Sequence, residues 1–193
     1  PFAFGSPMFI ATDTPADFVP RLLGRLPDCA VRPSEIAPVA AAALPPPAAA
    51  LLDHPRHMTA VMEAHCGAAL KVHVLDRVQD GARYAREILL VRPGGGAVQY
   101  AVVDIDLARC PDVVREGILA EQLPLGRVLL PLAEELRVAP LGFVKVGVPP
   151  ALAALFGCAV QAPAYGRLLQ IHHAGGVLID GLELLAPTVL GTT

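Results

Sequence analysis

The sequence lacks tryptophan altogether, has few other aromatic residues, and carries no cluster of positive charge. Its 15 lysine and arginine residues are outnumbered by 18 aspartate and glutamate residues, which gives a formal net charge of −3 at pH 7. Proteins that bind nucleic acids ordinarily carry a basic patch interleaved with aromatic side chains. We therefore predict no nucleic-acid partner, although one or two arginines could hold a small anion.

The spacings typical of metal and cofactor sites are also missing. The four cysteines are far apart and form no C-x-x-C pair, which argues against a zinc or redox site. His172 and His173 are adjacent, so on a strand they would point to opposite faces and could not bind one ion together. The phosphate-binding loop, the nucleophile elbow and the zinc-binding helix motif are absent from the sequence. We predict a protein that needs neither a metal nor another cofactor.

Long apolar runs are interrupted before they reach the length of a membrane span. A spanning helix needs about 20 apolar residues, and the longest such tract, residues 38–52, is broken by the prolines at 45–47. The mean hydropathy is nonetheless +0.53, which indicates a large core. From the chain length, and from the lack of an export signal or a coiled-coil seam, we predict a single domain over residues 1–193 that is cytoplasmic and monomeric.

Hydrophobic residues recur at helical spacing in several segments. A helix over 53–66 is predicted to be capped by Asp53, to end at Gly67 and to bury one stripe. The members of that stripe are Met58, Val61, Met62 and His65. Further helices are predicted from Thr14 onward, over 111–121, around 132–137 and over 149–157. Two short helical pieces around a proline break are expected in 37–50, which would serve as a connector or as a flap over a pocket.

The remaining segments alternate apolar and polar residues, or are apolar throughout, and are separated by glycine-rich turns. The predicted strands are 70–74, 84–91, 97–107, 167–173 and 177–187, with turns at 92–96 and 174–176. Neighbouring strands joined by tight turns, with helices before and between them, predict the α+β class. We expect a single antiparallel β-sheet with helices and helical flaps covering an internal ligand pocket.

Two charged residues, Arg86 and Glu183, lie inside otherwise apolar predicted strands. A charge is costly to bury unless it is paired or used on a ligand. These two residues could therefore pair with each other, face solvent, or contact a small molecule.

Four segments resemble the chorismate pyruvate-lyase family in their order and spacing: HMTAVMEAH, YAREILLV, QLPLGRVLL and GRLLQIHHAGGVLIDGLELLAP. The resemblance covers residues 51–187, and the first 50 residues match only in their helical character. It implies a chorismate lyase-like fold and an enzyme without a cofactor. That enzyme would eliminate pyruvate from chorismate to leave 4-hydroxybenzoate, for quinone or secondary-metabolite biosynthesis.

The resemblance also implies a set of site residues. Arg86 would bind the ring carboxylate of the substrate, assisted by backbone N–H groups at Met58 and Leu125. Glu183 would handle the proton that accompanies loss of enolpyruvate, so that Arg86 and Glu183 are the predicted catalytic pair. Val102 stands where typical members have a second arginine, and would make the substrate-binding site more apolar.

That departure at Val102 leaves two alternatives open. The chain could be a diverged enzyme on the same fold that acts on a different, more apolar ring-forming substrate. It could instead be a non-catalytic small-molecule-binding domain, because the fold also resembles the effector-binding domains of some transcription regulators. The lack of a basic patch favours the enzyme.

Overall fold

The computed structural model describes residues 15–191, which form six α-helices and seven β-strands besides short 3-10 turns. The helices are α1 (Pro15–Leu23), α2 (Pro46–Leu52), α3 (Met58–Cys66), α4 (Asp112–Ala120), α5 (Leu125–Val128) and α6 (Pro150–Phe156). The strands are β1 (Ile36–Val39), β2 (Lys71–Asp80), β3 (Arg83–Val91), β4 (Ala97–Asp106), β5 (Arg137–Gly147), β6 (Pro163–His173) and β7 (Gly176–Leu185). None of these described helices is long and apolar enough to cross a membrane.

All seven strands belong to one sheet with the order β1-β5-β6-β7-β4-β3-β2, and every pair is antiparallel. The predicted α+β class with a single antiparallel sheet is therefore confirmed. The hairpins β3–β4 and β6–β7 meet where β4 pairs with β7. Their turns at 92–96 and 174–176 contain glycines with positive φ, a conformation that glycine adopts without steric cost.

Helices cover both faces of the sheet, and the alternation of side chains along each strand separates the two cores. On the back face, α1 and α6 pack around side chains that include Tyr100, Val102 and Leu182. On the front face, α2 to α5 pack around side chains that include Ile88 and Ala101. Because both faces are covered, β3 and β4 are buried almost throughout, whereas the edge strand β2 has a solvent-exposed side.

Two strands were not predicted, and both contain residues that normally interrupt strands. Pro38 lies on the edge strand β1, which pairs only with β5. Proline has no N–H group, and an edge strand tolerates it because one side of the strand makes no ladder bonds. The β5 strand contains Pro140 and Gly142, between which its register with β6 shifts. The helical piece predicted around 132–137 is also wrong, because a short 3-10 turn ends at Leu132, a turn follows, and β5 begins at Arg137.

Several predicted helix ends also differ from the structure. The helix predicted from Asp53 begins at Met58 with His57 at its N-cap, and residues 53–57 form a loop. Gly67 ends this helix in the left-handed conformation, as predicted, but His65 is exposed rather than buried. Pro46 starts α2, because proline fits the first turn of a helix. The predicted start at Thr14 lies outside the described residues.

The close approach of β6 to β7 gives a stability prediction. A methyl group on Gly166 would overlap the backbone oxygen of Glu183 and the side chain of Leu184. We expect Gly166→Ala to lower the free energy of unfolding by about 1–3 kcal/mol or more, measured by urea denaturation. The matched control is Gly181→Ala on β7, whose added methyl would lie 3.4 Å from Leu169 Cγ, an ordinary contact. Equal losses of unfolding free energy in the two variants would contradict the register of β6 with β7.

Candidate functional site

Two arginines are buried on the front face of the sheet, and they differ in how their charges are satisfied. Arg86 on β3 is 1% exposed, and Arg167 on β6 is 0% exposed. A guanidinium stays charged in proteins, so each of these side chains brings a full positive charge into the interior. Their hydrogen-bond partners therefore decide what each charge does.

Arg167 has a partner at every nitrogen. Its Nε donates to Glu183 Oε2 at 2.7 Å, and its Nη1 donates to the backbone oxygen of His54 at 2.7 Å. Nη1 also reaches the backbone oxygen of Leu52, and Nη2 donates to that of Arg56 at 3.0 Å. The Arg167–Glu183 ion pair thus fixes the loop between α2 and α3 to the sheet.

Two histidines of that loop lie beside this ion pair. Burial lowers the pKa of His54, and the Arg167 charge lowers it further. Burial also lowers the pKa of His57, against the opposing effect of the Glu183 carboxylate. Both imidazoles are therefore neutral at pH 7, and the positive charge on this part of the front face is carried by arginine.

Arg86 lacks comparable partners. Its Nε and Nη1 are buried and make no hydrogen bond, and no carboxylate within residues 15–191 lies at ion-pair distance from it. Burial lowers the pKa of Arg86, and the Tyr84 hydroxyl and the Glu121 carboxylate only partly offset that effect. A buried donor without a partner loses its interaction with water and gains nothing in return.

The Arg86 side chain lines a small, partly open cavity of about 40 Å³ between the sheet and α3 and α5. A water-sized group needs roughly 10–15 Å³, so about three such groups fit. The lining residues are Met58, Thr59, Arg86, Ile88, Leu90, Gln99, Ala101, Val103, Leu125 and Glu183. The floor comes from β3, β4 and β7, and the cover comes from α3 and α5.

The cover is held together by contacts between its two helices. Gly126 N donates to Thr59 Oγ1 at 3.3 Å, and any side chain at Gly126 would overlap Thr59. Arg127 forms an ion pair with Glu63 at 2.8 Å, and Glu63 also accepts from the backbone N–H of Leu70 at 3.0 Å. Helices α3 and α5 therefore move as one unit or must break these bonds.

A larger, more open cleft of about 600 Å³ lies between β2 and α4, but its polar groups already have partners. The Tyr84 hydroxyl donates to Glu121 Oε1 at 2.5 Å, and Arg77 donates to the same carboxylate. Burial and this bond raise the pKa of Tyr84 to about 12. The unmet hydrogen bonds of Arg86 and Gln99 face the smaller cavity, which is therefore the better candidate site.

Four of the five residues predicted from the sequence line this cavity together: Arg86, Glu183, Met58 and Leu125. Val102 does not, because it points to the back face, where it packs in the other core. Side chains alternate along a strand, so the neighbours Ala101 and Val103 occupy the positions that were assigned to Val102. The alternative in which Arg86 pairs with Glu183 is replaced by the Arg167–Glu183 pair. The ligand-binding roles stay predictions.

Gln99 and Thr59 were not predicted from the sequence, and neither was the ion pair between Arg167 and Glu183. Gln99 lies two residues from Ala101 on the same face of β4, so the assignment of Val102 to the site placed Gln99 on the opposite face. Thr59 lies beside the predicted Met58, in the first turn of the helix. Across residues 15–191 no group of three His, Cys, Asp or Glu side chains could hold a metal ion.

Comparison with known proteins finds relatives by structure alone. No protein-family model and no curated protein sequence matches the chain. PhnF from Mycobacterium smegmatis has a similar structure with a TM-score of 0.53 and 13% identity, covering 70% of this chain and 65% of PhnF. The effector domain of PhnF gives a TM-score of 0.52 and 14% identity, covering 70% of this chain and 93% of that domain. The chain thus spans about two thirds of PhnF, and the likeness shows a shared fold.

A more distant likeness is to the ligand-binding domain of a putative GntR-family transcriptional regulator from Bordetella bronchiseptica. Its TM-score is 0.46 at 12% identity, and the match covers 60% of this chain and 85% of that domain. The two matches with a TM-score above 0.5 are thus to PhnF and to its effector domain, and none of the structures named here is described as a lyase.

The prediction of a chorismate pyruvate-lyase is therefore wrong. The structural neighbours overturn the predicted enzymatic activity, the 4-hydroxybenzoate product and the role in biosynthesis. The geometry agrees with this correction, because Glu183, the predicted proton-transfer group, is bound by the Arg167 guanidinium. The error has a physical origin, since the fold class was predicted correctly and a fold alone does not determine function.

The different environments of the two arginines predict opposite effects on stability. Arg86→Met should raise the free energy of unfolding of the ligand-free protein by about 1–3 kcal/mol, because it removes buried donors without partners. Arg167→Met should lower it by about 3–5 kcal/mol, because Glu183 and the loop carbonyl groups lose their donor. Urea denaturation of both variants measures this contrast. A destabilised Arg86→Met protein would show that Arg86 is satisfied in the ligand-free state.

Proposed function

We propose that this chain is a regulatory domain that binds a small organic anion without transforming it, as the effector domain of a GntR-type transcription regulator would. The observation that carries the proposal is the buried Arg86 guanidinium, which faces the cavity with two nitrogens lacking partners. The fold shared with the PhnF effector domain supports it.

The chemistry of Arg86 selects an anion. A carboxylate or phosphate oxygen accepts charge-assisted hydrogen bonds from a guanidinium, and these are about twice as strong as bonds between neutral groups. Ligand binding would then neutralise a charge that the protein leaves uncompensated. The rest of the lining is largely apolar, with Met58, Ile88, Leu90 and Leu125 around the cavity, which suits the carbon skeleton of an organic acid better than inorganic phosphate.

Binding without chemistry is favoured by the state of the other charged group in the cavity. The Glu183 carboxylate accepts from Arg167 at 2.7 Å, and that pair holds the loop between α2 and α3. A proton-transfer group must be available to the reacting atoms, whereas Glu183 is used to position the cover of the cavity. The proposal assigns no DNA contact to these 193 residues, whose net charge is −3.

The cover provides a way for ligand binding to change the protein. A ligand of more than a few non-hydrogen atoms exceeds the cavity volume of about 40 Å³, so we expect it to shift α3 and α5 away from the sheet. The bonds that resist this shift are the Thr59–Gly126 and Glu63–Arg127 contacts. A ligand can bias a conformational equilibrium only by binding one state more tightly, and the state with the open cover would be that one.

The cytoplasmic location and the monomeric state stay predictions.

Titration calorimetry with short carboxylic acids and with inorganic phosphate tests the proposal. We expect wild-type protein to bind a carboxylate, and Arg86→Met to weaken that binding about 10-fold to 100-fold, the loss of one charge-assisted interaction. The control is Arg92→Met, which removes an exposed arginine and should leave affinity unchanged. NMR spectra of the recovered ligand should show no conversion. Binding that Arg86→Met leaves intact, or turnover of the ligand, would contradict the proposal.

A further inference from the structure

The same cavity contains a second buried polar group without a partner. Gln99 on β4 is 2% exposed, and its Oε1 makes no hydrogen bond. It lines the cavity together with Arg86. A buried amide costs about 1–3 kcal/mol when its hydrogen bonds are not made. Two such groups facing one cavity are the arrangement expected of a site built to recognise two points on a ligand.

We propose that Gln99 determines the specificity of this site, and that the ligand is an elongated carboxylic acid with a hydroxyl group at the end remote from the carboxylate. This inference rests on the proposed function, because it takes the carboxylate to be bound by Arg86. It goes further by naming the second recognition point and the chemical group that meets it.

The strand register places the backbones of Arg86 and Gln99 well apart along the floor of the cavity. Arg86 lies opposite Val103 of β4, and Gln99 lies four residues away on the same strand and face. Four residues of an antiparallel strand span about 13 Å between backbone positions. The two long side chains occupy part of that distance, and the ligand would bridge the remainder. A carboxylate and a hydroxyl on the same carbon would be too close together.

Between the two ends the cavity is mostly apolar. Ala101 forms the floor, and its neighbours across the sheet are Ile88 on β3 and Glu183 on β7. Alanine has the smallest side chain of the three, so it leaves room directly under the cover. Glu183 is held by Arg167. The middle of the ligand is therefore expected to be a short hydrocarbon segment.

A hydroxyl group matches Gln99 better than other polar groups. The amide presents both an acceptor oxygen and a donor nitrogen, and a hydroxyl can donate to the first or accept from the second. A methyl group of the same size can do neither, and it would leave the amide unsatisfied. The site should therefore discriminate between a hydroxy acid and the fatty acid in which methyl replaces hydroxyl.

Titration calorimetry on matched acids tests this inference. The probes are linear ω-hydroxy acids from glycolate to 6-hydroxyhexanoate, each compared with its methyl counterpart, for example 4-hydroxybutyrate with pentanoate. We expect wild-type protein to prefer the hydroxy acid by about tenfold or more at the best chain length, the worth of a satisfied buried hydrogen bond. In Gln99→Leu and Gln99→Met the preference should disappear or reverse.

The possible outcomes separate the two proposals. If hydroxy acids and fatty acids bind equally and Gln99→Leu has no effect, while Arg86→Met still weakens both, the Gln99 inference fails and the proposed function stands. If no acid of either series binds wild-type protein, both fail. The two Gln99 variants remove an unpartnered polar group, so urea denaturation should show them at least as stable as wild type. Gln99→Met preserves the length of the side chain, and it serves as the second variant in case the branched leucine does not fit.

Discussion

The ion pair between Arg167 and Glu183 is the contact on which the candidate site depends. It lies on adjacent strands of the sheet, and the remaining donors of Arg167 bind backbone carbonyl groups of the loop that precedes α3. A buried ion pair is stable only when its other hydrogen bonds are made as well, and here the loop makes them. The position of α3, and with it the cover of the cavity, follows from this one cluster.

Against that background the isolation of Arg86 is informative. On the back face, the buried Asp180 accepts from Arg21 at 2.8 Å and the buried Asp104 accepts from Arg83 at 2.5 Å. The buried Nε and Nη2 of Arg25 make no hydrogen bond, but its Nε lies 3.7 Å from Asp104. The fold can therefore pair interior charges, and at Arg86 it does not. A buried charge that lowers stability and lines a cavity is typical of functional sites, because such sites lose stability in order to bind a ligand. This contrast supports a ligand more directly than the fold does.

The elements that could be predicted from the sequence were those with a strong local pattern. Alternation and glycine turns predicted the central hairpins, whereas β1 and β5 were hidden by Pro38, Pro140 and Gly142. Val102 was assigned to the wrong face because an error of one residue inverts a strand. Counting back from the β6–β7 turn pairs Arg167 with Leu182, but a register shift near His172 moves the pairing to Glu183. That irregularity leaves no sequence pattern, so the central ion pair could not be predicted.

The most direct test of the central claim observes the Arg86 side chain itself. In protein labelled with nitrogen-15 at arginine, the Nε–H signal of Arg86 is assigned by its loss in Arg86→Met, and a short carboxylic acid is then added. We predict that the Arg86 proton shifts downfield as it gains an acceptor, while the Arg167 signal, already bonded to Glu183, changes little. An Arg86 signal that is hydrogen-bonded before addition, or that does not respond to any carboxylate, would contradict the account.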